Sequence, residues 1–139
     1  MELENFLGFM DGGDYLRANF SPTTPARTLG SAFQPSATRP VLCIYTIRIT
    51  TPQAGGNQEG RVDLLSDTAN PPTTVRESVD IGINTAGGGG LLGSAAISAV
   101  KANGVLVYLC PRGHFIQMNS VNVAATPTFS IVNQVELVL

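Results

Sequence analysis

The run Val41–Thr51 (VLCIYTIRITT) constrains the fold more than any other stretch of this chain. β-branched and aromatic residues dominate it, and these residue types favour strands. Its first half is apolar at every position, whereas in its second half Ile47 and Ile49 alternate with polar residues. The run therefore predicts a strand that enters the core at one end and reaches solvent at the other.

Further short strand patterns follow, separated by loops rich in Gly, Pro, Asn and Thr. Four prolines between residues 22 and 40 disfavour helix in the first part of the domain. Residues 91–101 fit either a helix or an irregular strand, and strand is favoured in a chain of short strands. The remaining predicted strands cover residues 27–33, 61–66, 75–83, 104–110, 114–119 and the stretch from Pro127 to the C-terminus.

Two local predictions concern the last third of the chain. Residues 104–110 and 114–119 flank the turn Pro111-Arg112-Gly113, a spacing that predicts a β-hairpin in which glycine supplies a positive φ. In the final strand, alternation places Phe129, Ile131, Val135, Leu137 and Leu139 on one face. Thr128, Ser130, Gln134 and Glu136 would then lie on the opposite face.

The spacing of these strands and turns predicts an all-β domain, an antiparallel β-sandwich of jelly-roll-like topology spanning residues 21–139. A chain of 139 residues fits one domain and can bury a core without a disulfide or a metal. Cys43 and Cys110 both lie in apolar runs, so a bond between these runs is geometrically possible, but buried free thiols are the preferred interpretation.

Residues 1–20 differ from the rest, and their pattern predicts an N-terminal arm or short helix. Leu3, Phe6, Leu7 and Met10 follow helical spacing, which Gly12 ends. Because an isolated helix of this length is marginal in water, its apolar face must dock on its own domain, a neighbouring subunit or a larger assembly. The candidate docking residues are Phe6, Leu7, Phe9 and Met10.

The charge content argues for assembly and against nucleic-acid binding. Only 13% of residues are charged, about half the usual fraction, and a surface with few charges is poorly protected against association. The net charge is −2, and the eight Lys and Arg residues are scattered singly rather than forming a basic stripe. No apolar stretch approaches the ~20 residues of a membrane-spanning helix, so we expect no membrane partner.

No catalytic or metal-binding pattern is present in the sequence. The single histidine, His114, excludes a His-pair metal site, and Cys110 beside it sits in an apolar strand where a thiol is a poor nucleophile. The acidic residues Asp63, Asp67, Glu77 and Asp80 lack the alternating spacing of a calcium loop, so solvated surface charge is the preferred interpretation. We therefore expect no enzyme activity and no cofactor. The N-terminus does not resemble a secretory signal, so we expect the chain to be made and folded in a reducing cytoplasm.

Several segments resemble a small β-domain of bacteriophage tail-fibre and other virion proteins. The similar segments are ARTLGSAFQPSATRPVLCIYTIRI (26–49), EGRVDLLSDTANPPTTVR (59–76), VYLCPRGHFIQMNS (107–120) and ATPTFSIVNQVELVL (125–139). The resemblance implies a virion component, often homotrimeric, and it transfers no functional residues. Unlike a typical fibre, which carries this domain behind a long shaft, this domain is preceded only by residues 1–20.

These observations lead to one expectation with one alternative. We expect a capsid decoration, cement or minor capsid protein of the virion, which assembles with itself as a trimer and binds a major capsid or tail protein. The alternative is a tail-fibre or baseplate domain that binds a host receptor or glycan.

Overall fold

The computed structural model describes residues 22–51, 56–85 and 100–139. The predicted arm, with Phe6, Leu7, Phe9 and Met10, lies outside these ranges, as does most of the ambiguous stretch 91–101. Within them, no helix is long and apolar enough to cross a membrane.

Seven strands form two antiparallel sheets, as the strand patterns predict. Sheet A has the order β1-β7-β2-β5 and sheet B the order β4-β3-β6. The strands are β1 (Pro22–Thr23), β2 (Val41–Thr51), β3 (Gly56–Asp67), β4 (Val75–Thr85), β5 (Val100–Cys110), β6 (Phe115–Ala124) and β7 (Thr128–Val138).

A short extended segment supplies a fourth position in sheet B. Phe33 and Ile116 exchange backbone hydrogen bonds of 2.9 and 2.7 Å, and the Gly30 amide donates to the Met118 carbonyl at 2.8 Å. The segment from β1 to Phe33 thus crosses from the edge of sheet A to the edge of sheet B. With it, each sheet has four positions, and the strand order is that of a jelly roll. The predicted strand over residues 27–33 is reduced to this single bridge.

The core lies between the two sheets. In β2 every second residue from Val41 to Thr51 is buried, and Tyr45 is the largest of these side chains. They meet residues of sheet B such as Leu64 and Met118, which are also fully buried. Two antiparallel sheets with this core between them confirm the predicted β-sandwich.

The predicted hairpin over residues 104–119 is wrong. Gly113 does have the expected positive φ of 76°, but β5 pairs with β2 in sheet A and β6 pairs with β3 in sheet B. The turn therefore carries the chain from one sheet to the other. Strand pairing in a sandwich is decided by long-range packing of apolar faces, which a local turn pattern does not report.

The predicted side-chain orientation in the last strand is also wrong for the second half of that strand. Asn133 pairs with Thr46 and Ile131 pairs with Ile47, so Val132 is an extra residue, a β-bulge. A bulge reverses the alternation beyond it. Phe129 and Ile131 face the core as predicted, but Glu136 is buried there and Val135 lies on the opposite side.

Candidate interaction surface

The outer side of sheet A carries a continuous apolar area at one end. Each pair of directly opposed residues in an antiparallel sheet points to the same side. Leu42 is opposed to Leu109 on β5 and to Leu137 on β7, and Leu137 is opposed in turn to Pro22 on β1. One apolar row therefore crosses all four strands of the sheet.

A second row lies beside the first. Ile44 is opposed to Val107 on one side and to Val135 on the other, and Val105 follows along β5. Val105, Val107 and Leu109 are 53%, 53% and 54% exposed, and they follow one another on the same side of β5. We call this area the apolar half-face. It comprises Pro22, Leu42, Ile44, Val105, Val107, Leu109, Val135 and Leu137.

The rest of the same side of sheet A is polar. Arg48 lies opposite Asn103 and donates a hydrogen bond of 3.0 Å from Nε to its Oδ1, and Thr50 lies opposite Lys101. On β7 the facing residues are Ser130 and Thr128. An apolar area bordered by polar and cationic residues has the anatomy of a protein–protein interface, an apolar centre with a polar rim.

A buried ion pair fixes the second half of β7 in its reversed facing. The Glu136 residue is 3% exposed, and its carboxylate accepts hydrogen bonds of 2.9 and 2.8 Å from Arg27 Nε and Nη2. Tyr45 Oη donates a third, at 2.7 Å. Because a buried carboxylate needs such partners, these contacts hold Glu136 inward and thereby keep Val135 and Leu137 on the outer side.

The same ion pair ties the crossing segment to both sheets. The Arg27 guanidinium lies 4.1 Å above the ring of Phe33, which meets the ring of Tyr45 edge to face at 6.3 Å. The Gln134 side chain accepts a hydrogen bond from the Arg27 amide at 2.7 Å. Hydrogen bonding to Glu136 raises the pKa of Arg27, while burial raises the pKa of Tyr45, so the first stays charged and the second neutral at physiological pH.

The outer side of sheet B has a different character. Arg61 Nε lies 2.8 Å from Asp63 Oδ1, and the Ser78 hydroxyl donates to the same carboxylate oxygen at 2.7 Å. Asp80 lies opposite Arg61, and Asn119 lies opposite Asp63. Charged and polar side chains thus occupy the centre of this surface, with Val121 opposite Arg61 and Leu65 opposite the exposed Val75 beside them.

The remaining reactive side chains, Cys43 and Cys110, lie in the interior of the protein. Burial raises the pKa of Cys43 to about 12 and also raises that of Cys110, whose thiol contacts the carbonyl oxygens of Pro111 and His114 at 3.5 and 3.9 Å. Both cysteines are free and buried, as preferred from the sequence. They occupy diagonal positions on the adjacent strands β2 and β5. A buried thiol held neutral is poorly suited to nucleophilic attack.

Two of the acidic residues considered for calcium, Asp63 and Asp67, are engaged within the protein. Asp63 is paired as described above, and Asp67 accepts backbone hydrogen bonds from Ala69, Thr73 and Thr74 at 2.7, 2.8 and 3.0 Å. These contacts, led by that of Thr73, lower the pKa of Asp67. Within the described parts of the chain, no group of three His, Cys, Asp or Glu side chains is placed to hold a metal ion.

The apolar half-face was only partly foreseen from the sequence. The first half of β2 is apolar at both alternating positions, but this pattern was interpreted as the end of the strand that enters the core, not as an apolar outer side. The exposure of Val107 and the outward facing of Val135 were not predicted, because they depend on the pairing of β5 with β2 and on the bulge at Val132. The predicted docking residues Phe6, Leu7, Phe9 and Met10 lie outside the described residues and stay a prediction.

Comparison with known proteins does not identify a family for this chain. No protein-family model matches the chain, and no curated protein matches it in sequence.

Proposed function

We propose that this chain is a virion structural protein, a capsid decoration, cement or minor capsid protein that assembles symmetrically and binds the particle surface. The observation that carries the proposal is the apolar half-face, where Val105, Val107 and Leu109 are each more than half exposed. An exposed apolar area on a folded domain marks a site of association. A protein that acts by burying its surface against a partner needs no catalytic residue.

Two further observations support the virion assignment. The jelly-roll strand order is shared by many capsid domains, and the segments quoted above resemble a β-domain of virion proteins. In this proposal the chain is made in the host cytoplasm and is carried in the virion. It forms a homotrimer, and its neighbour is a major capsid or tail protein. Residues 1–20 provide the second contact through Phe6, Leu7, Phe9 and Met10.

The alternative role, a tail-fibre or baseplate domain that binds a receptor or glycan, has less support. Such a domain would present exposed aromatic side chains on its loops. Tyr45 is buried, and Phe33 and Tyr108 are partly buried against the core. These three aromatics therefore contribute to the interior of the sandwich.

The test of the proposal is the composition of the particle. Mass spectrometry of purified particles of the virus that encodes the chain should detect it at a fixed ratio to the major capsid protein, and native mass measurement of the purified chain should give a closed oligomer. Absence of the chain from particles would contradict the proposed function.

A further inference from the structure

We infer that residues 15–20 of one copy of this chain add as a strand to the free edge of β7 in a second copy. The site is a groove between β7 and the crossing segment, which we call the edge groove. It is lined by Arg27, Thr28, Leu29, Phe129, Ser130 and Ile131. This inference rests on the proposed symmetric assembly and names the contact between its subunits.

Backbone hydrogen bonds decide which residues of β7 point away from β2. The Leu139 amide donates to the Pro40 carbonyl at 3.0 Å, and hydrogen-bonded pairs alternate along an antiparallel ladder. The even-numbered residues of β2 therefore bond toward β7, and the odd-numbered residues bond toward β5. Phe129 and Ile131 lie opposite odd-numbered residues of β2, so their own N–H and C=O groups point out of the edge of the sheet.

These main-chain groups have no hydrogen-bond partner among the described residues. β1 covers the same edge of β7 only at Glu136 and Leu137. Unpaired N–H and C=O groups at a sheet edge are a template for another strand. Because an extended main chain presents donors and acceptors at the matching spacing, a polypeptide is favoured over a glycan as the occupant.

The edge groove exists because the crossing segment stands away from β7 by the length of one side chain. Gln134 Oε1 accepts a hydrogen bond from the Arg27 amide at 2.7 Å, and Gln134 Nε2 donates to the Arg27 carbonyl at 3.3 Å. Beside this bridge the groove has a volume of about 290 Å³, equal to about ten water molecules at ~30 Å³ each. Leu29, Phe129 and Ile131 give it an apolar floor. It therefore suits an extended segment with apolar side chains at alternate positions.

The sequence just before β1 matches this requirement. In residues 15–20 (YLRANF), Leu16, Ala18 and Phe20 occupy every second position, and no proline interrupts them. Alternation of this kind is typical of a strand with one covered side.

The direction of β1 favours the groove of a second copy over the groove of the same copy. β1 is antiparallel to β7, with Pro22 opposite Leu137 and Thr23 opposite Glu136. A chain that continues this direction before Pro22 leads past the end of β7, whereas the edge groove lies near its start, at residues 129–131. A head-to-tail contact in which every copy gives one strand and receives one closes into a ring, as the proposed trimer requires.

Hydrogen exchange at two amides tests the added strand directly. The amides of Phe129 and Ile131 should exchange slowly in the assembled chain, where the strand bonds them, and fast after dilution dissociates it. The Ser130 amide lies in a hydrogen-bonded pair with Arg48, so it is the control and should stay protected in both states. Fast exchange of Phe129 and Ile131 in the oligomer, or equal protection of both in the monomer, would overturn the inference.

Two substitutions test which residues enter the groove. Ala18→Asp places a carboxylate against the apolar floor and should raise the dissociation constant of the oligomer about 100-fold, because an unpaired buried charge is strongly unfavourable. Asn19→Asp adds the same group on the opposite side of the strand and should leave the constant unchanged. Sedimentation equilibrium measures both, and circular dichroism checks that both variants are folded. Equal effects of the two substitutions, or a monomeric native chain, would contradict the inference.

These outcomes separate the inference from the proposed function. A chain that is absent from particles but shows protected Phe129 and Ile131 amides in its oligomer keeps the strand contact and loses the virion assignment. A chain found in particles whose oligomer leaves these amides unprotected keeps the function and loses this contact.

Discussion

The outer sides of the two sheets differ although both are built from strands of similar length. Sheet A presents Leu42, Ile44 and Val107 in adjoining rows, whereas sheet B presents Arg61 and Asp63 as an ion pair at its centre. Both sheets bury an equally apolar inner side. A sandwich that needed only to fold would have two polar outer sides, so the apolar half-face indicates a requirement beyond folding.

The difference depends on one buried ion pair as well as on composition. The bulge at Val132 and the anchoring of Glu136 by Arg27 direct Val135 and Leu137 outward. Without them, simple alternation along β7 would place these two residues in the core. The apolar half-face therefore owes its β7 side to polar contacts inside the domain.

The largest expected effect comes from breaking that anchor. Arg27→Met should destabilise the domain by about 3 kcal/mol, because it leaves the Glu136 carboxylate buried without a cation. Urea denaturation at fixed protein concentration measures the loss. The double variant Arg27→Met with Glu136→Leu is the control and should be more stable than the single variant. A double variant less stable than Arg27→Met would show that the ion pair is not what holds β7.

A smaller effect is expected where the two sheets meet at their edges. In Gly104→Ala the new Cβ would lie 2.6 Å from Val79 Cγ2 and 2.8 Å from Ile81 Cγ1, and such overpacking costs about 2 kcal/mol. Gly82→Ala is the matched control, because an added Cβ there meets nothing within 4 Å. Thermal unfolding should separate the two variants. Equal melting temperatures would contradict the close approach of β4 and β5.

Deletion of Val132 tests whether the β-bulge itself takes part in association through the apolar half-face. Removing the extra residue restores regular alternation and keeps Ile131 and Glu136 facing inward. We expect a loss of about 1 kcal/mol and an unchanged oligomer. Sedimentation and urea denaturation of the deletion variant test this. Dissociation of a folded deletion variant would mean that the bulge itself takes part in the contact.

The smallest effect concerns acid and the loop that follows β3. The pKa of Asp67 is lowered by its backbone hydrogen bonds, so its contribution to stability is complete above the ordinary value of 3.8 and is lost as the pH falls below it. Asp67→Asn should lower the melting temperature slightly at neutral pH, and its difference from the native chain should vanish in acid. A constant difference at every pH would contradict this assignment.

The sequence predicted the fold class well, because the relevant signals are local. The strand pattern of β2, the absence of helix around the prolines and the positive φ of Gly113 each depend on a few neighbouring residues, and these agree with the structure. The predicted solvent-exposed end of β2 does not, because Ile49 and Thr51 at that end are fully buried. The free, buried state of Cys43 and Cys110 also follows from their apolar surroundings. Local patterns of this kind predict the strands of both sheets.

The two wrong predictions have one physical origin. The partner of β5 is decided by packing between segments far apart in sequence, so the turn at residues 111–113 did not report it. The bulge at Val132 is stabilised by the burial of Glu136 against Arg27, 109 residues away along the chain. The Glu136 side chain alone predicts a solvent-facing position, because an unpaired glutamate is rarely buried.

Labelling of one introduced thiol measures whether the apolar half-face is covered when the protein assembles. In Val107→Cys the new side chain lies in the apolar half-face, whereas in Val123→Cys it lies outside, and the native thiols are buried in both. The maleimide reaction at position 107 should slow markedly as the protein concentration rises through the assembly range, while the rate at position 123 stays constant. Equal rates at both positions in the assembled protein would contradict the claim that association covers the apolar half-face.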